Sequence, residues 1–239
     1  MSNSYYQLST GCVAAIEGDC AFPPLNHALS EPNGLIAIGG DLSTSRLLSA
    51  YKQGIFPWYN EDEPIMWWSP SPRMVLFPSE LKISTSLKKT LKKNLFEVRF
   101  NTAFREVMTA CSQSPRGEQA GSNQSNTWIS PDMIQAYCQL HDLGHAICME
   151  SWLNNQLVGG CYGVIINKMF YGESMFHHVT DASKIAFVHL VQHLQNQGVG
   201  TIDCQMKTPL LASFGGREIE RDNFVQKLNA FCTTGTPIF

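Results

Sequence analysis

The chain has 239 residues, of which 44% are hydrophobic and 15% are charged, and its formal net charge is -3 at pH 7. This composition excludes a mainly disordered chain, because disorder combines few large apolar residues with a high net charge. No stretch approaches the roughly 20 apolar residues that span a bilayer, and the opening residues MSNSYYQLSTG lack the apolar run of a secretory signal. We therefore expect no membrane association and a cytoplasmic location.

The first third of the chain predicts short elements. Residues 22–74 are rich in Pro, Gly and Trp, which favours turns over long helices. Within them, GGDLSTSRLLSAYKQG predicts a loop followed by a helix, with Asp41 or Ser43 at its start and Gly54 at its end. We expect residues 1–73 to form a small N-terminal α+β domain.

Beyond Arg73 the pattern changes to alternating strands and helices. Ser130-Pro131-Asp132 is typical of a helix start, because a capping hydroxyl is followed by proline and an acid. Residues 117–126 predict a polar loop. The remaining elements are predicted in chain order as a helix at 86–93, a strand at 97–100, helices at 102–111 and 130–143, strands at 146–152, 157–166 and 168–175, a helix at 182–195 and a strand at 201–206. This order predicts an α/β domain of residues 74–239 around one central sheet.

Eight cysteines are spread along the chain without a CxxC pair. Disulfide scaffolds are shorter and denser in cysteine, and the paired spacings of zinc sites are absent. We therefore expect reduced cysteines that are mostly buried. The pairs His141/His145 and His189/His193 have helical ligand spacing but no third ligand at a characteristic distance, so no metal site is predicted.

Six basic residues and one acid lie between positions 82 and 99. Such a segment in a nearly neutral protein is either a solvated helix face or a contact with a polyanion. At this point both interpretations stay open.

Two strands carry candidate reactive groups. In Thr201-Ile202-Asp203-Cys204-Gln205-Met206, side chains alternate, so Asp203 and Gln205 are predicted to share one face and Cys204 to point away. This face either positions a proton or an amine, or is a wet strand edge. Glu173 stands among aromatics, where a carboxylate is costly to bury unless it meets a cation, either of a basic substrate or of the protein.

Two tryptophans stand beside rigid neighbours. Trp58 follows Gly54-Ile55-Phe56-Pro57, and Trp128 comes two residues before the predicted helix start. A fixed indole is either a core residue or a platform on which a nucleobase stacks.

Taken together, these segments resemble the leucyl/phenylalanyl-tRNA–protein transferases. The resemblance extends from about Phe22 to Phe224 and departs from the family pattern at Ile147, Cys148 and Leu210. The stretches that carry it are EPNGLIAIGGDLSTSRLLSAYKQGIFPWY, PIMWWSPSPRMVLFP, NTWIS, AYCQLHDLGHA, LVGGCYGV, FYGESMF, DASK, IDCQ and SFGG.

The resemblance implies an enzyme that transfers Leu or Phe, and less readily Met, from aminoacyl-tRNA to a protein beginning with Arg or Lys. The product is marked for N-end rule degradation. It also implies an N-acetyltransferase-like (GNAT-like) catalytic domain, no metal, no cofactor and a monomer.

The resemblance assigns four groups of site residues. They are the catalytic residues Asp203, Gln205 and Glu173, the tRNA adenosine-binding residues Trp58 and Trp128, the aminoacyl side-chain pocket of Phe170, Met175, Phe187, Leu190 and Ile202, and the phosphate contacts Lys88, Lys89, Lys92 and Lys93. An acyl-CoA-dependent N-acetyltransferase and a non-catalytic tRNA-binding adaptor are the rival interpretations. An N-acetyltransferase would have a pyrophosphate-binding loop before the central helix, and residues 177–182 lack its pattern. A non-catalytic adaptor would have lost Asp203, Gln205 or Glu173, and all three are present.

Overall fold

The structure is a computed structural model that describes residues 4–114 and 128–232. The predicted loop at 117–126 lies outside these residues. Within them the chain is a mixed α/β protein with two mixed sheets.

The first sheet comes from residues before position 70. Its strand order is β1-β2-β3-β5-β4, and only β2 and β3 pair in parallel. The strands are β1 Ser4–Leu8, β2 Gly11–Ile16, β3 Leu35–Gly39, β4 Phe56–Pro57 and β5 Met66–Trp68, with helix α1 at Thr44–Lys52 between β3 and β4. Ser43 occupies the helix cap position, and its N–H donates to Asp41 Oδ1 at 2.8 Å.

The second sheet has the order β12-β6-β11-β10-β9-β8-β7 in the described chain. Only β10 and β11 pair in parallel. The strands are β6 Arg73–Leu76, β7 Glu97–Phe100, β8 Ala146–Leu153, β9 Gln156–Ile166, β10 Met169–His177, β11 Thr201–Gln205 and β12 Arg217–Ile219.

Helices cover the second sheet. They are α2 Thr85–Lys92, α3 Phe104–Gln113, α4 Pro131–Asp142, α5 Ala182–Asn196, α6 Pro209–Ser213 and α7 Arg221–Cys232. The capping of α4 is confirmed, because Ser130 Oγ accepts the Met133 N–H at 3.2 Å. Helix α3 begins two residues later than predicted. The Thr102 and Ala103 N–H groups donate instead to the buried Glu150 carboxylate, at 2.7 and 2.9 Å.

Both faces of the central strands are buried. Along β8 and β9, Cys148 and Val164 pack in one core with α3 and α4, whereas Ile147 and Ile165 pack in a second core with α5. The first core also contains buried residues of the first sheet, such as Trp67. Burial on both faces explains why these strands have nearly continuous apolar sequences.

All eight cysteines are free, as predicted, and five of them are buried. No described helix is long and apolar enough to cross a membrane.

Candidate active site

A cavity of about 430 Å³ opens where β10, β11 and α5 meet the segment after β4. It brings together nearly all of the side chains predicted to handle the aminoacyl group. Its lining includes Trp58, Trp128, Phe170, Met175, Phe187, Leu190, Ile202, Glu173 and Gln205. Asp203 does not line it, and the four lysines lie elsewhere.

Both predicted tryptophans contribute to this lining. The Trp58 side chain is 42% exposed, yet its backbone is fixed. Its N–H donates to the Met66 carbonyl at 3.0 Å, and its carbonyl accepts from Trp68 Nε1 at 2.6 Å. An exposed indole on a fixed backbone is suited to stacking against a flat ring.

The apolar part of the cavity includes residues that the sequence did not reveal. Cys161 on β9 lies opposite Met175 on β10, and this strand pairing places it in the cavity lining. Leu210, one of the departures from the family pattern, also lines the cavity. Cys204 does too, contrary to the expectation that it points away from the site.

Glu173 and Gln205 form the polar end of the cavity, and two tyrosines also donate to Glu173. Its Oε1 accepts from Tyr51 Oη at 2.8 Å and Gln205 Nε2 at 2.9 Å, and its Oε2 accepts from Tyr137 Oη at 3.4 Å. The two phenols also contact each other. Burial raises the pKa of Glu173 to about 8, although these hydrogen bonds act in the opposite direction. No motif in the sequence points to the hydroxyls of Tyr51 and Tyr137, which lie 86 residues apart.

Two bulges interrupt the strands that carry Glu173 and Gln205. On β10 the register shifts between Gly172 and Ser174, which leaves Glu173 as the extra residue opposite β9. On β11 it shifts between Asp203 and Gln205, which leaves Cys204 as the extra residue opposite β6. Such bulges redirect side chains and are frequent beside active sites.

The predicted common face of Asp203 and Gln205 is therefore wrong. The extra residue interrupts the alternation, and Gln205 has a left-handed φ of 61°, so its side chain turns to the cavity. Asp203 is fully buried and binds Arg73 instead, with Nε–Oδ1 and Nη2–Oδ2 distances of 2.8 and 2.7 Å.

The four lysines are exposed on and just after α2, apart from the cavity. Helix α2 is joined to the start of α5 by a hydrogen bond of 3.1 Å between Thr90 Oγ1 and Asp181 Oδ2. No ion pair engages these lysines within the described ranges, so their charges face solvent. Their contact with phosphates stays a prediction.

The histidine pair near α4 has a structural explanation. His141 Nδ1 lies 2.8 Å from the Ala146 carbonyl oxygen, and its ring stacks on Phe104 at a centroid distance of 4.4 Å. Across residues 4–114 and 128–232, no group of three His, Cys, Asp or Glu side chains is placed to hold a metal ion.

Comparison with protein-family models identifies the class of enzyme first. The model described as "Leucyl/phenylalanyl-tRNA protein transferase" matches residues 75–229, and the model of the N-terminal domain of that enzyme matches residues 40–71. The protein is a transferase. The chain belongs to the leucyl/phenylalanyl-tRNA–protein transferase family, which confirms the resemblance seen in the sequence.

Curated relatives with this name support the assignment along most of the chain. The relative from Nitrosomonas europaea is 58% identical over 217 residues, which are 91% of this chain and 89% of the relative. The relative from Chromobacterium violaceum is 58% identical over 207 residues, or 87% and 86% of the two chains.

Solved structures are much more distant. "The structure of L-PGS from Bacillus licheniformis" aligns with 86% of this chain and 66% of that chain, at 11% identity and a TM-score of 0.39. A similarity at this level carries no conclusion about fold or function.

Proposed function

We propose that the protein transfers Leu or Phe, and less readily Met, from aminoacyl-tRNA to the α-amino group of proteins that begin with Arg or Lys. The relatives' names supply the donor and the class of acceptor. The observation that carries the proposal is that an apolar wall, two tryptophans and the Glu173–Gln205 pair meet in the same cavity. The product is a protein marked for N-end rule degradation in the cytoplasm.

The reaction requires little chemistry from the protein. The acceptor nitrogen attacks the ester carbonyl of the aminoacyl-tRNA, the new C–N bond forms, and the C–O bond to the terminal ribose breaks. One proton leaves the amine and one reaches the ribose oxygen. An α-amino group with a pKa of about 7.7–8.0 is partly neutral near pH 7, so alignment of amine and ester supplies much of the acceleration. No cofactor is needed.

Each part of the cavity has a role in this scheme. Phe170, Phe187 and the rest of the apolar wall hold the transferred side chain. Gln205 orients the attacking amine from the polar end. Asp203 supports Gln205, and its bidentate pairing with Arg73 favours an electrostatic role over proton acceptance.

Glu173 is suited to receive the cation of the acceptor. No Lys or Arg of the described chain forms a salt bridge with it, and its partners are hydroxyl and amide donors. A half-buried carboxyl without a cation gains from a cationic ligand, because the opposite charge offsets the cost of desolvation. This favours an N-terminal Arg or Lys over an uncharged residue.

The tRNA contacts divide between two surfaces. Trp58 and Trp128 hold the terminal adenosine beside the cavity. Lys88, Lys89, Lys92 and Lys93 grip the acceptor-stem phosphates from α2, where each lysine is exposed.

The proposal extends to the architecture. Residues 1–73 form the small domain and residues 74–239 form a GNAT-like catalytic domain, and the protein works as a monomer. The change of sheet between β5 and β6, at residues 68 and 73, supports this boundary.

The decisive experiment incubates the protein with leucyl-tRNA and a peptide beginning with Arg. Mass spectrometry should find a new Leu-Arg N-terminus, and a matched peptide beginning with Ala should stay unmodified. Transfer from acetyl-CoA in place of leucyl-tRNA would favour the N-acetyltransferase alternative. Binding of tRNA without any transfer would favour the adaptor.

A further inference from the structure

Arg73 is a charged residue enclosed by the protein next to the transfer site. Its guanidinium carbon lies 4.8 Å from the centre of the Phe56 ring and 4.7 Å from that of Phe224, and the residue is 1% exposed. Both of its bonds to Asp203 are therefore shielded from water. The planar fork of arginine matches both carboxylate oxygens, which fixes the orientation of Asp203.

Asp203 has a second partner at the bend in β11. Its Oδ1, the oxygen that Arg73 Nε also binds, accepts the backbone N–H of Gln205 at 2.9 Å. Gln205 is held there in the left-handed conformation, with a φ of 61°, which is unfavourable for a residue with a side chain. Such a conformation persists only where its surroundings fix it. The orientation of Asp203 thus determines where the Gln205 backbone turns.

We propose that Arg73 is a positioning residue of the transfer site, which acts through Asp203 to hold the bend that presents the Gln205 carboxamide to Glu173. The inference rests on the proposed function. The chain of contacts is continuous from the guanidinium to the Gln205 N–H, and from Gln205 Nε2 to Glu173 Oε1 at 2.9 Å.

Stability is a poor explanation for this pair. Replacing a buried ion pair by apolar residues of similar volume is often neutral or stabilising. In addition, Arg73 Nη1 is buried without a hydrogen-bond partner in the described chain, so the burial of this cation is not fully compensated. A role in placing Gln205 accounts for a charge that packing alone does not need.

The test compares Arg73→Met/Asp203→Leu with the wild type, because the double variant leaves no unpaired charge. We expect it to fold while kcat for transfer of Leu to the Arg peptide falls about 100-fold, as for a small misplacement of a reacting group. The Kd for tRNA should stay within about twofold, since Trp58, Trp128 and α2 are unchanged. A folded double variant with wild-type kcat would overturn the inference.

A double-mutant cycle with the milder substitution Arg73→Lys separates a positioning role from a general effect on packing. Arg73→Lys keeps the buried charge but cannot bind both oxygens of Asp203, and we expect kcat to fall about tenfold. In Gln205→Ala the same change should have no further effect, because Arg73 acts through Gln205. Equal losses in both backgrounds would contradict this. Arg217→Met is the matched control, since Arg217 on the neighbouring strand forms an exposed ion pair with Glu80 and should leave kcat unchanged.

Wild-type protein provides a test that does not depend on the folding of any variant. The Gln205 amide should exchange slowly with deuterated solvent, because Asp203 holds its hydrogen. Rapid exchange at Gln205 in the folded protein would overturn the inference. Absence of Leu transfer by the wild type would instead refute the proposed function, with the exchange result unaffected.

Discussion

Replacement of Glu173 by Gln should make the stability of the protein less dependent on pH. Burial raises the pKa of this carboxyl from 4.5 to about 8, so in the empty site the folded chain holds a proton that the unfolded chain releases. The stability associated with the protonated form is complete below pH 4.5. This contribution to stability is lost as the pH rises from 4.5 to about 8.

The size of this stability change follows from the difference between the two pKa values of Glu173, 4.5 in the unfolded chain and about 8 in the folded chain. Each pH unit between the two pKa values costs at most about 1.4 kcal/mol of unfolding free energy. Between pH 5 and 8 the wild type should therefore lose up to about 4 kcal/mol through this group, and less where solvent reaches the half-buried carboxyl. Glu173→Gln retains an oxygen for the tyrosine hydroxyls and does not titrate, so its stability should lack this loss.

Urea unfolding followed by tryptophan fluorescence at pH 5, 6, 7 and 8 measures the difference. Subtracting the wild-type curve from the variant curve removes every other titrating group. Glu61→Gln is the matched control, because it makes the same substitution at an exposed carboxyl outside the Glu173 cluster. Parallel curves for the wild type and Glu173→Gln would refute the reasoning.

Three further predictions concern other parts of the molecule. Gln205→Ala should lower kcat by roughly 10²–10⁴-fold without weakening tRNA binding; steady-state kinetics and a binding titration check this, and unchanged kcat would contradict it. Lys89→Ala should flatten the log–log salt dependence of tRNA binding by up to about 1 unit, whereas Trp128→Ala should cost on the order of 1–3 kcal/mol at an unchanged slope. Binding titrations over a range of salt concentrations separate the two effects. Identical slopes for the wild type and Lys89→Ala would favour the alternative interpretation, in which α2 is only a solvated helix face. Glu150→Ala should lower the free energy of unfolding by on the order of 3 kcal/mol, because the N–H groups of Thr102 and Ala103 lose their buried acceptor; urea unfolding measures it, and a loss within about 0.5 kcal/mol would contradict it.

The sequence predicted five adjacent strands of the second sheet, β7 to β11. The strand at 97–100 agrees with β7, and the capped start of α4 is confirmed. These segments carry local signals, such as an apolar run or a cap followed by proline. The first sheet was not predicted, because strands as short as β4, with two residues, are defined only by their partners. The sequence analysis also missed helix α7. Its buried residues are Phe224 and Leu228, which are too few to make a clear apolar pattern.

The site shows the same division. The cavity lining was identified from motifs, but the roles of Tyr51 and Tyr137 depend on contacts between distant parts of the chain. Tyr51 is completely buried in α1, as an ordinary core residue would be, yet its hydroxyl donates to Glu173. The bend at Gln205 arises from an extra residue opposite β6, and no alternation rule anticipates such an insertion.

The two tyrosines at Glu173 come from opposite sides of the expected domain boundary, Tyr51 from α1 and Tyr137 from α4. Phe56, Pro57 and Trp58 likewise complete a cavity whose remaining lining lies beyond position 127. A fragment that begins at position 74 would lack one wall of the cavity and a donor to its carboxyl group, and would expose Tyr137 to water. The first 73 residues are therefore not a separable part of this cavity, because its lining and the donors to Glu173 come together only when both parts of the chain are present.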